Sequence, residues 1–260
     1  MAPVAPPAHP LLEARGISKA FGKVQALINV DFQVGDREVV GLVGDNGAGK
    51  STLIKIITGV HPPDRGQLFI EGRPVHLASP KQARALGIET VYQDLALVEQ
   101  MSIARNFYLG NEPTRRIGPL RLLDGTTMHR MTEHALREIG ITTLRSASQD
   151  VGVLSGGERQ AIAIGRTMHF GAKLIILDEP TSALSIKETR KVLDYVNEAK
   201  RRGLSVIFIT HNLYHVYPVS DRIVVLDHGR KVGDFAREAV SIDDLVNLIT
   251  LPREPTRGAP

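Results

Sequence analysis

Residues 44–51 read Gly44-Asp45-Asn46-Gly47-Ala48-Gly49-Lys50-Ser51, which fits the pattern GxxxxGK[ST]. An apolar run at 39–43 comes before this stretch and predicts a strand, and the run 50–58 follows with apolar residues at helical spacing. Glycines let the backbone curl so that successive N–H groups point at phosphate oxygens, and the helix N-terminus adds partial positive charge. Lys50 is expected to reach the β- and γ-phosphates of a nucleotide, and the Ser51 hydroxyl is expected to bind Mg²⁺. The stretch therefore predicts a phosphate-binding loop.

A second segment that carries candidate catalytic residues is the apolar run 174–177, which ends in Asp178-Glu179-Pro180. In open α/β sheets, ligands bind at the carboxyl ends of the strands, where these two carboxylates would stand. An acidic pair after a strand is by itself most often a turn or a helix cap. Beside a phosphate loop it predicts a hydrolytic site, with Asp178 as a Mg²⁺ ligand and Glu179 polarising a water in line with the γ-phosphate.

A third segment, Leu154-Ser155-Gly156-Gly157-Glu158, opens a predicted helix that runs to about His169. Ser155 followed three residues later by Glu158 is typical of a capping box. Two glycines in a first helical turn cost about 1 kcal/mol each relative to alanine, which indicates that the bare amides face an anion. Both interpretations remain open at this point.

Composition narrows the class of protein. The chain has 260 residues, 42% of them hydrophobic, and no cysteine, which predicts a globular fold and excludes thiolate metal sites and thiol nucleophiles. No apolar run approaches the roughly 18 residues that cross a bilayer. The net charge of +4 is spread along the chain, so no nucleic-acid partner is expected.

The order of elements predicts an α/β fold. Apolar runs at 174–177, 204–210 and 222–226, separated by amphipathic stretches such as 186–201, indicate a parallel sheet covered by helices. Residues 12–70 are rich in short β-type runs, and 78–140 are mostly helical, with a loop predicted at 111–126. The tails at 1–10 and 252–260 are rich in Pro, Arg and Gly and are expected to be disordered, which leaves a folded domain at 11–251.

These three segments, in this order, resemble the nucleotide-binding subunits of ATP-binding cassette (ABC) transporters, for which LSGGE is the signature sequence. We call residues 155–157 the signature loop. The resemblance covers about residues 11–250. It implies a P-loop NTPase cassette with a RecA-like parallel-sheet core, an antiparallel β subdomain and a helical subdomain at about 94–170. It also implies ATP and Mg²⁺ as cofactors, and a homodimer that encloses two ATP molecules.

Further site residues follow from the resemblance alone. Gln93 matches the family's Q-loop glutamine, His211 its switch histidine, and Phe21 the aromatic residue that stacks on adenine. The positions expected to bind ATP are Phe21, Gly44, Asp45, Asn46, Gly47, Ala48, Gly49, Lys50, Ser51, Thr52, Ser155, Gly156 and Gly157. Those expected to act in hydrolysis are Glu179, His211 and Gln93, and those expected to hold Mg²⁺ are Ser51, Gln93 and Asp178. One departure is Ser185, which replaces the aspartate usual in a loop that crosses to the opposite subunit.

The stretches 110–120 and 128–141 resemble the ATPases of ribose-, xylose- and fructose-type monosaccharide importers, in a single-cassette form. This implies a peripheral subunit on the cytoplasmic face of the inner membrane that partners a membrane-spanning permease and, indirectly, a periplasmic sugar-binding protein. The alternatives are a cassette for another ABC importer or exporter, and a soluble ABC protein acting on ribosomes or DNA. Neither fused membrane helices nor a second cassette occurs in the sequence.

The permease contact is expected to involve Gln93 and the segment 95–109 that follows it. Met101, Ile103 and Phe107 lie at helical spacing and predict an apolar face that receives a cytoplasmic helix of the permease. The alternative is a helix packed within its own domain.

Overall fold

The computed structural model describes residues 10–141 and 146–250. Pro10, expected to belong to the N-terminal tail, begins the first strand, and the tail predictions for residues 1–9 and 252–260 lie outside the described residues. Among the helices described, none combines the length and apolar character that a membrane span needs.

Strands and helices alternate along most of the chain. The strands are β1 (Pro10–Phe21), β2 (Val24–Gly35), β3 (Val39–Val43), β4 (Arg65–Ile70), β5 (Arg73–Val75), β6 (Ile88–Val91), β7 (Thr114–Ile117), β8 (Leu120–Leu123), β9 (Leu174–Asp178), β10 (Ser205–Ile209), β11 (Arg222–Asp227) and β12 (Arg230–Ala236). The helices are α1 (Lys50–Ile57), α2 (Pro80–Ala85), α3 (Ile103–Tyr108), α4 (Gly125–Glu138), α5 (Gly156–His169), α6 (Ile186–Arg201), α7 (Leu213–Val216) and α8 (Ile242–Thr250).

A six-stranded sheet forms the centre, in the order β12-β11-β3-β10-β9-β6. All of its neighbours pair in parallel except β11 and β12, which are antiparallel. Every residue of β3 and β10 is buried, because helices and a second sheet cover the two faces. That second sheet is antiparallel, in the order β2-β1-β4-β5. The predicted α/β cassette fold is therefore confirmed.

The helices α3, α4 and α5 pack around a hydrophobic cluster of their own. Its members include Ile103, Phe107, Met128, Leu136 and Ile162. Ile103 and Phe107 are both 0% exposed. The prediction that they form a surface for a permease helix is therefore wrong. Their helical spacing marks an apolar face correctly, but α4 and α5 already cover that face.

A second correction concerns the predicted loop at 111–126. Its middle forms an antiparallel hairpin of β7 and β8, in which Arg116 faces Arg121 and Ile117 faces Leu120. All eight strand residues are exposed. Since neither face of the hairpin is buried, the sequence has no alternation of apolar and polar residues to indicate strands.

An ion-pair network ties the two sheets together. Arg222 of β11 is 5% exposed. Its guanidinium lies 2.7 Å from a Glu38 carboxylate oxygen and 2.8 Å from Asp234, and it donates to the Gln33 carbonyl of β2 at 2.6 Å. The carboxylates of Glu38 and Asp234 balance the buried charge of the guanidinium, and its bond to the Gln33 carbonyl joins the central sheet to the antiparallel one.

We expect Arg222→Met to lower the free energy of unfolding by about 3–5 kcal/mol, because Glu38 loses its ion-pair partner and Asp234 keeps only Lys231, at 3.1 Å. Urea unfolding of the purified chain measures this loss. Arg201→Met is the control: Arg201 pairs with Glu198 but its side chain is 71% exposed, so less than about 1 kcal/mol should be lost. Equal losses for the two variants would contradict a role for burial in the Arg222 network.

Candidate nucleotide-binding site

The phosphate-binding loop connects β3 to α1 and is wedged between neighbouring strands. Gly44 has φ +147° and Gly49 has φ +103°, conformations that side-chain-bearing residues rarely adopt. A Cβ on Gly44 would lie 2.1 Å from the Leu226 carbonyl oxygen, and one on Gly49 would lie 2.6 Å from the Ala26 carbonyl oxygen. Glycine is therefore required at both positions, and the loop's backbone is held in its curled form by β11 and β2.

Lys50 is the first residue of α1, and its side chain folds back over the loop. Its Nζ donates to the Gly44 carbonyl at 2.7 Å and to the Asp45 carbonyl at 3.0 Å. Burial lowers the pKa of Lys50, although the carboxylates of Glu179, Asp45 and Asp178 act in the opposite direction. A buried ammonium held by carbonyl oxygens can transfer its bonds to phosphate oxygens, which carry more negative charge.

The remaining predicted residues of the loop differ in exposure. Asp45, Asn46, Gly47 and Ser51 are exposed, Thr52 is half-buried, and Ala48 is buried. The Asn46 amide donates to the Asp45 carboxylate at 2.8 Å.

The acidic pair lies at the end of β9, beside β10. Burial, and then the neighbouring Glu179 carboxylate, raise the pKa of Asp178. Glu179 has φ 48°, the left-handed region that non-glycine residues seldom occupy and that is common at functional sites. Its amide donates to the Ile209 carbonyl at 2.9 Å, which extends the pairing with β10 by one residue. Backbone bonding thus holds Glu179 in this unusual conformation.

The Glu179 carboxylate is bound by the two residues that follow β10. Thr210 Oγ1 donates to Oε2 at 2.9 Å, the His211 amide donates to Oε1 at 3.1 Å, and His211 Nδ1 lies 2.8 Å from Oε1. The Glu179 side chain is 16% exposed and the His211 side chain 64% exposed. A fixed carboxylate beside an exposed imidazole can accept a proton from a water molecule on the open side of the site.

Two functional contacts here were not predicted from the sequence. Thr210 positions Glu179, and its place at the carboxyl end of a parallel strand is the signal that could have identified it. His215 Nδ1 lies 2.9 Å from Thr181 Oγ1, next to the acidic pair. Burial lowers the pKa of His215, which favours its neutral form. Helical spacing gives no signal for this contact, because His211 lies outside α7, which begins at Leu213.

The donor set fits Mg²⁺ bound together with a nucleotide. Within residues 10–141 and 146–250, no group of three or more His, Asp or Glu side chains could hold a metal ion alone. Mg²⁺ usually takes one or two protein ligands and completes its shell with phosphate oxygens and water. The Asp178 carboxyl at the end of β9 and the exposed Ser51 hydroxyl match that requirement.

Gln93 and Phe21 are placed at the margins of this site. Gln93 is exposed and follows β6, the strand next to β9. Phe21, at the end of β1, is 45% exposed. It meets the His61 ring edge-on, with centroids 5.4 Å apart, and Lys19 Nζ lies 5.7 Å from its centroid. The exposed ring can stack on a base, but this role stays a prediction, as does that of Gln93.

The signature loop lies at the start of α5, in the helical cluster, whereas the phosphate loop, the acidic pair and His211 share one edge of the central sheet. Ser155 and Glu158 form the predicted capping box in full. Ser155 and Gly156 are exposed and Gly157 is buried. The capping interpretation is confirmed, and binding of an anion by these residues stays a prediction.

Comparisons with known proteins agree with this geometry. A family model described as ABC transporter matches residues 27–182. The fructose import ATP-binding protein FrcA of Rhizobium meliloti is 43% identical over 255 residues, which cover 96% of this chain and 98% of the relative. The xylose/arabinose import ATP-binding protein XylG of Sulfolobus acidocaldarius is 45% identical and covers 92% of this chain and 94% of its own.

Solved structures show the same fold. A nucleotide-free ATP-binding cassette from an ABC transporter superposes with a TM-score of 0.78 at 23% identity, covering 94% of this chain and 96% of the other. A dimeric bacterial ABC transporter cassette superposes with a TM-score of 0.72 at 22% identity, covering 88% of this chain and all of the other. The curled glycine loop, the acidic pair beside it and the family match together establish that this chain belongs to the ATP-binding subunits of ABC transporters.

Proposed function

We propose that this ATPase supplies the energy for a monosaccharide importer, as a peripheral subunit on the cytoplasmic face of the cell membrane. The observation that carries the proposal is the identity of 43% and 45%, over nearly full lengths, to subunits named for fructose and xylose/arabinose import. A permease would bind the sugar, and a periplasmic sugar-binding protein would deliver it. The broader alternative, a cassette for another ABC importer or exporter, has no comparable support among these relatives.

The chemistry proposed for the site is hydrolysis of the β–γ phosphate bond of ATP. The loop amides and Lys50 would hold the phosphates, and Phe21 would stack on adenine. Glu179 would accept the proton of the attacking water, while Thr210 and His211 keep its carboxylate in place. Mg²⁺, held by Ser51, Asp178 and Gln93, would neutralise charge on the phosphates.

We expect Glu179→Gln to lower the ATP turnover rate by about 10²- to 10⁴-fold, because the amide cannot accept a proton from water. The affinity for ATP should be retained, since the residues that hold the phosphates are intact. Turnover is measured by phosphate release, and affinity by titration with a fluorescent ATP analogue.

Lys50→Ala provides the contrast for this variant, because removing the ammonium should weaken nucleotide binding itself. Phosphate release by Glu179→Gln at the native rate would rule out Glu179 as the proton acceptor.

We further propose that two chains form a head-to-tail dimer around two ATP molecules. Each chain carries a phosphate loop on its central sheet and a signature loop in its helical cluster. A two-fold axis would let the signature loop of one subunit complete the site of the other. The dimeric cassette of similar fold supports this arrangement.

ATP is therefore expected to convert the Glu179→Gln chain from monomer to dimer, because bound ATP persists when it is not hydrolysed. Light scattering coupled to gel filtration, with and without Mg-ATP, measures the change. ADP is the control and should leave the chain monomeric. A strict monomer under every condition would contradict the dimer proposal.

The permease is proposed to dock in a groove beside Gln93. The groove is lined by Arg84, Glu89, Thr90, Val91, Tyr92, Leu95, Ala96, Leu97, Asn111, Ala163, Arg166, Thr167 and Phe170. Glu89 and Arg166 are half-buried in the groove, and burial raises the pKa of Glu89 and lowers that of Arg166. Leu95, Ala96 and Leu97, at the start of the predicted segment 95–109, line this groove. In this proposal the groove is the contact surface for the permease, in place of Ile103 and Phe107.

Tyr92→Glu should reduce sugar uptake by about tenfold or more in vesicles reconstituted with the permease, because a carboxylate replaces an aromatic contact at the groove. ATP hydrolysis by the isolated chain should change little. Tyr92 is 37% exposed, so Val246→Glu, at 39% exposure on α8, is a matched control and should transport normally. Equal uptake by the two variants would remove the groove from the docking role.

A further inference from the structure

One carboxylate in the first turn of α6 joins the N-termini of two helices. Glu188 Oε2 accepts hydrogen bonds from the Ser185 amide at 3.1 Å and from the Ser185 hydroxyl at 2.7 Å, which caps α6. The other oxygen, Oε1, accepts from the Gly157 amide of α5 at 3.1 Å. Gly157 lies 31 residues earlier in the chain, so this second bond connects the start of α6 to the signature loop.

The contact leaves no room for a side chain at Gly157 unless Glu188 moves. A Cβ on Gly157 would lie 2.8 Å from Glu188 Cγ and 2.9 Å from Glu188 Cβ. A Cβ on Gly156 would lie 3.0 Å from Leu184 Cδ2. The segment 184–188 therefore packs against the inner side of the loop, and its outer side, with Ser155 and Gly156, stays exposed.

Glu188 carries a full negative charge in this position. Hydrogen bonds from the Ser185 hydroxyl, the Gly157 amide and the Ser185 amide lower the pKa of Glu188 to about 2. The carboxylate is therefore ionised at neutral pH and accepts a hydrogen bond from the Gly157 amide of the signature loop. A charge-assisted bond of this kind holds a backbone amide more firmly than a neutral one.

We propose that Glu188 is a positioning residue that orients the signature loop toward the nucleotide of the opposite subunit. This inference rests on the head-to-tail dimer proposed above. Residues 180–185 lead from Glu179 to the start of α6. Glu188 therefore connects this segment, which begins at one hydrolytic site, to the signature loop, which would complete the other hydrolytic site of the dimer. A simple helix cap would affect the stability of the chain and nothing else.

The chain itself supplies a matched comparison for the cap. In α8, Asp244 accepts from the Ser241 amide at 3.0 Å and from the Ser241 hydroxyl at 2.7 Å, the same arrangement with an aspartate. An aspartate can thus close this cap. Glu188→Asp should keep the cap of α6, while the loss of one methylene withdraws the carboxylate from Gly157. Glu188→Gln keeps the length of the side chain but offers one uncharged oxygen, which can accept from the Ser185 amide or from the Gly157 amide and not from both.

The experiment places both substitutions in the Glu179→Gln chain and measures the ATP concentration at half-maximal dimer. Glu188→Asp should raise that concentration by about tenfold or more. The ATP affinity of the dilute monomer should change by less than about twofold, and the thermal unfolding midpoint should be retained. Glu188→Gln should lower the unfolding midpoint more than Glu188→Asp does, because its side chain has one uncharged oxygen for the two helix N-termini. Asp244→Glu, which alters the α8 cap alone, should leave dimerisation unchanged.

An unchanged dimer midpoint for Glu188→Asp would overturn the inference and leave the dimer proposal standing. If the chain with Glu179→Gln and an intact Glu188 forms no dimer with ATP, the dimer proposal fails and this inference fails with it.

Discussion

Parallel pairing of β10 with both β3 and β9 is the constraint on which the site depends. Ile209 lies opposite Leu42 on one side and opposite Asp178 on the other. Since parallel strands end at one edge of a sheet, the phosphate loop, the acidic pair and His211 meet there although they are far apart in the chain. The bond from the Glu179 amide to the Ile209 carbonyl carries the pairing into the site itself.

Features fixed by neighbouring residues were predictable from the sequence. The curled loop follows from its glycines and the flanking apolar runs, and α6 spans Ile186–Arg201 as its amphipathic pattern indicates. The capping box of α5 was readable from Ser155 and Glu158 alone. Contacts that depend on which strands become neighbours were not readable in this way. The bonds from Thr210 to Glu179 and from Gly157 to Glu188 belong to that second group.

The wrong predictions for α3 and for residues 111–126 have a common physical origin. A hydrophobic pattern shows that a face of an element is apolar or polar, but it does not show what covers that face. In α3 the apolar face is covered by helices of the same chain, so no surface is left for a partner. In the hairpin of β7 and β8 neither face is covered, so the periodicity that normally indicates strands is absent.

The order of strands also sets how rigidly each part of the site is held. Among the strands described, β6 lies at an edge of the central sheet and pairs with β9 alone, whereas β3, β10 and β9 are each paired on both sides. A shift at the end of β6 disturbs one hydrogen-bond ladder, and a shift at the end of β10 disturbs two. The centre of the sheet is therefore mechanically stiffer than its edge. Gln93 follows the edge strand β6, whereas Glu179 follows β9, which is paired on both sides. This difference in stiffness lets the end of β6 move with a neighbouring protein while Glu179 keeps its position.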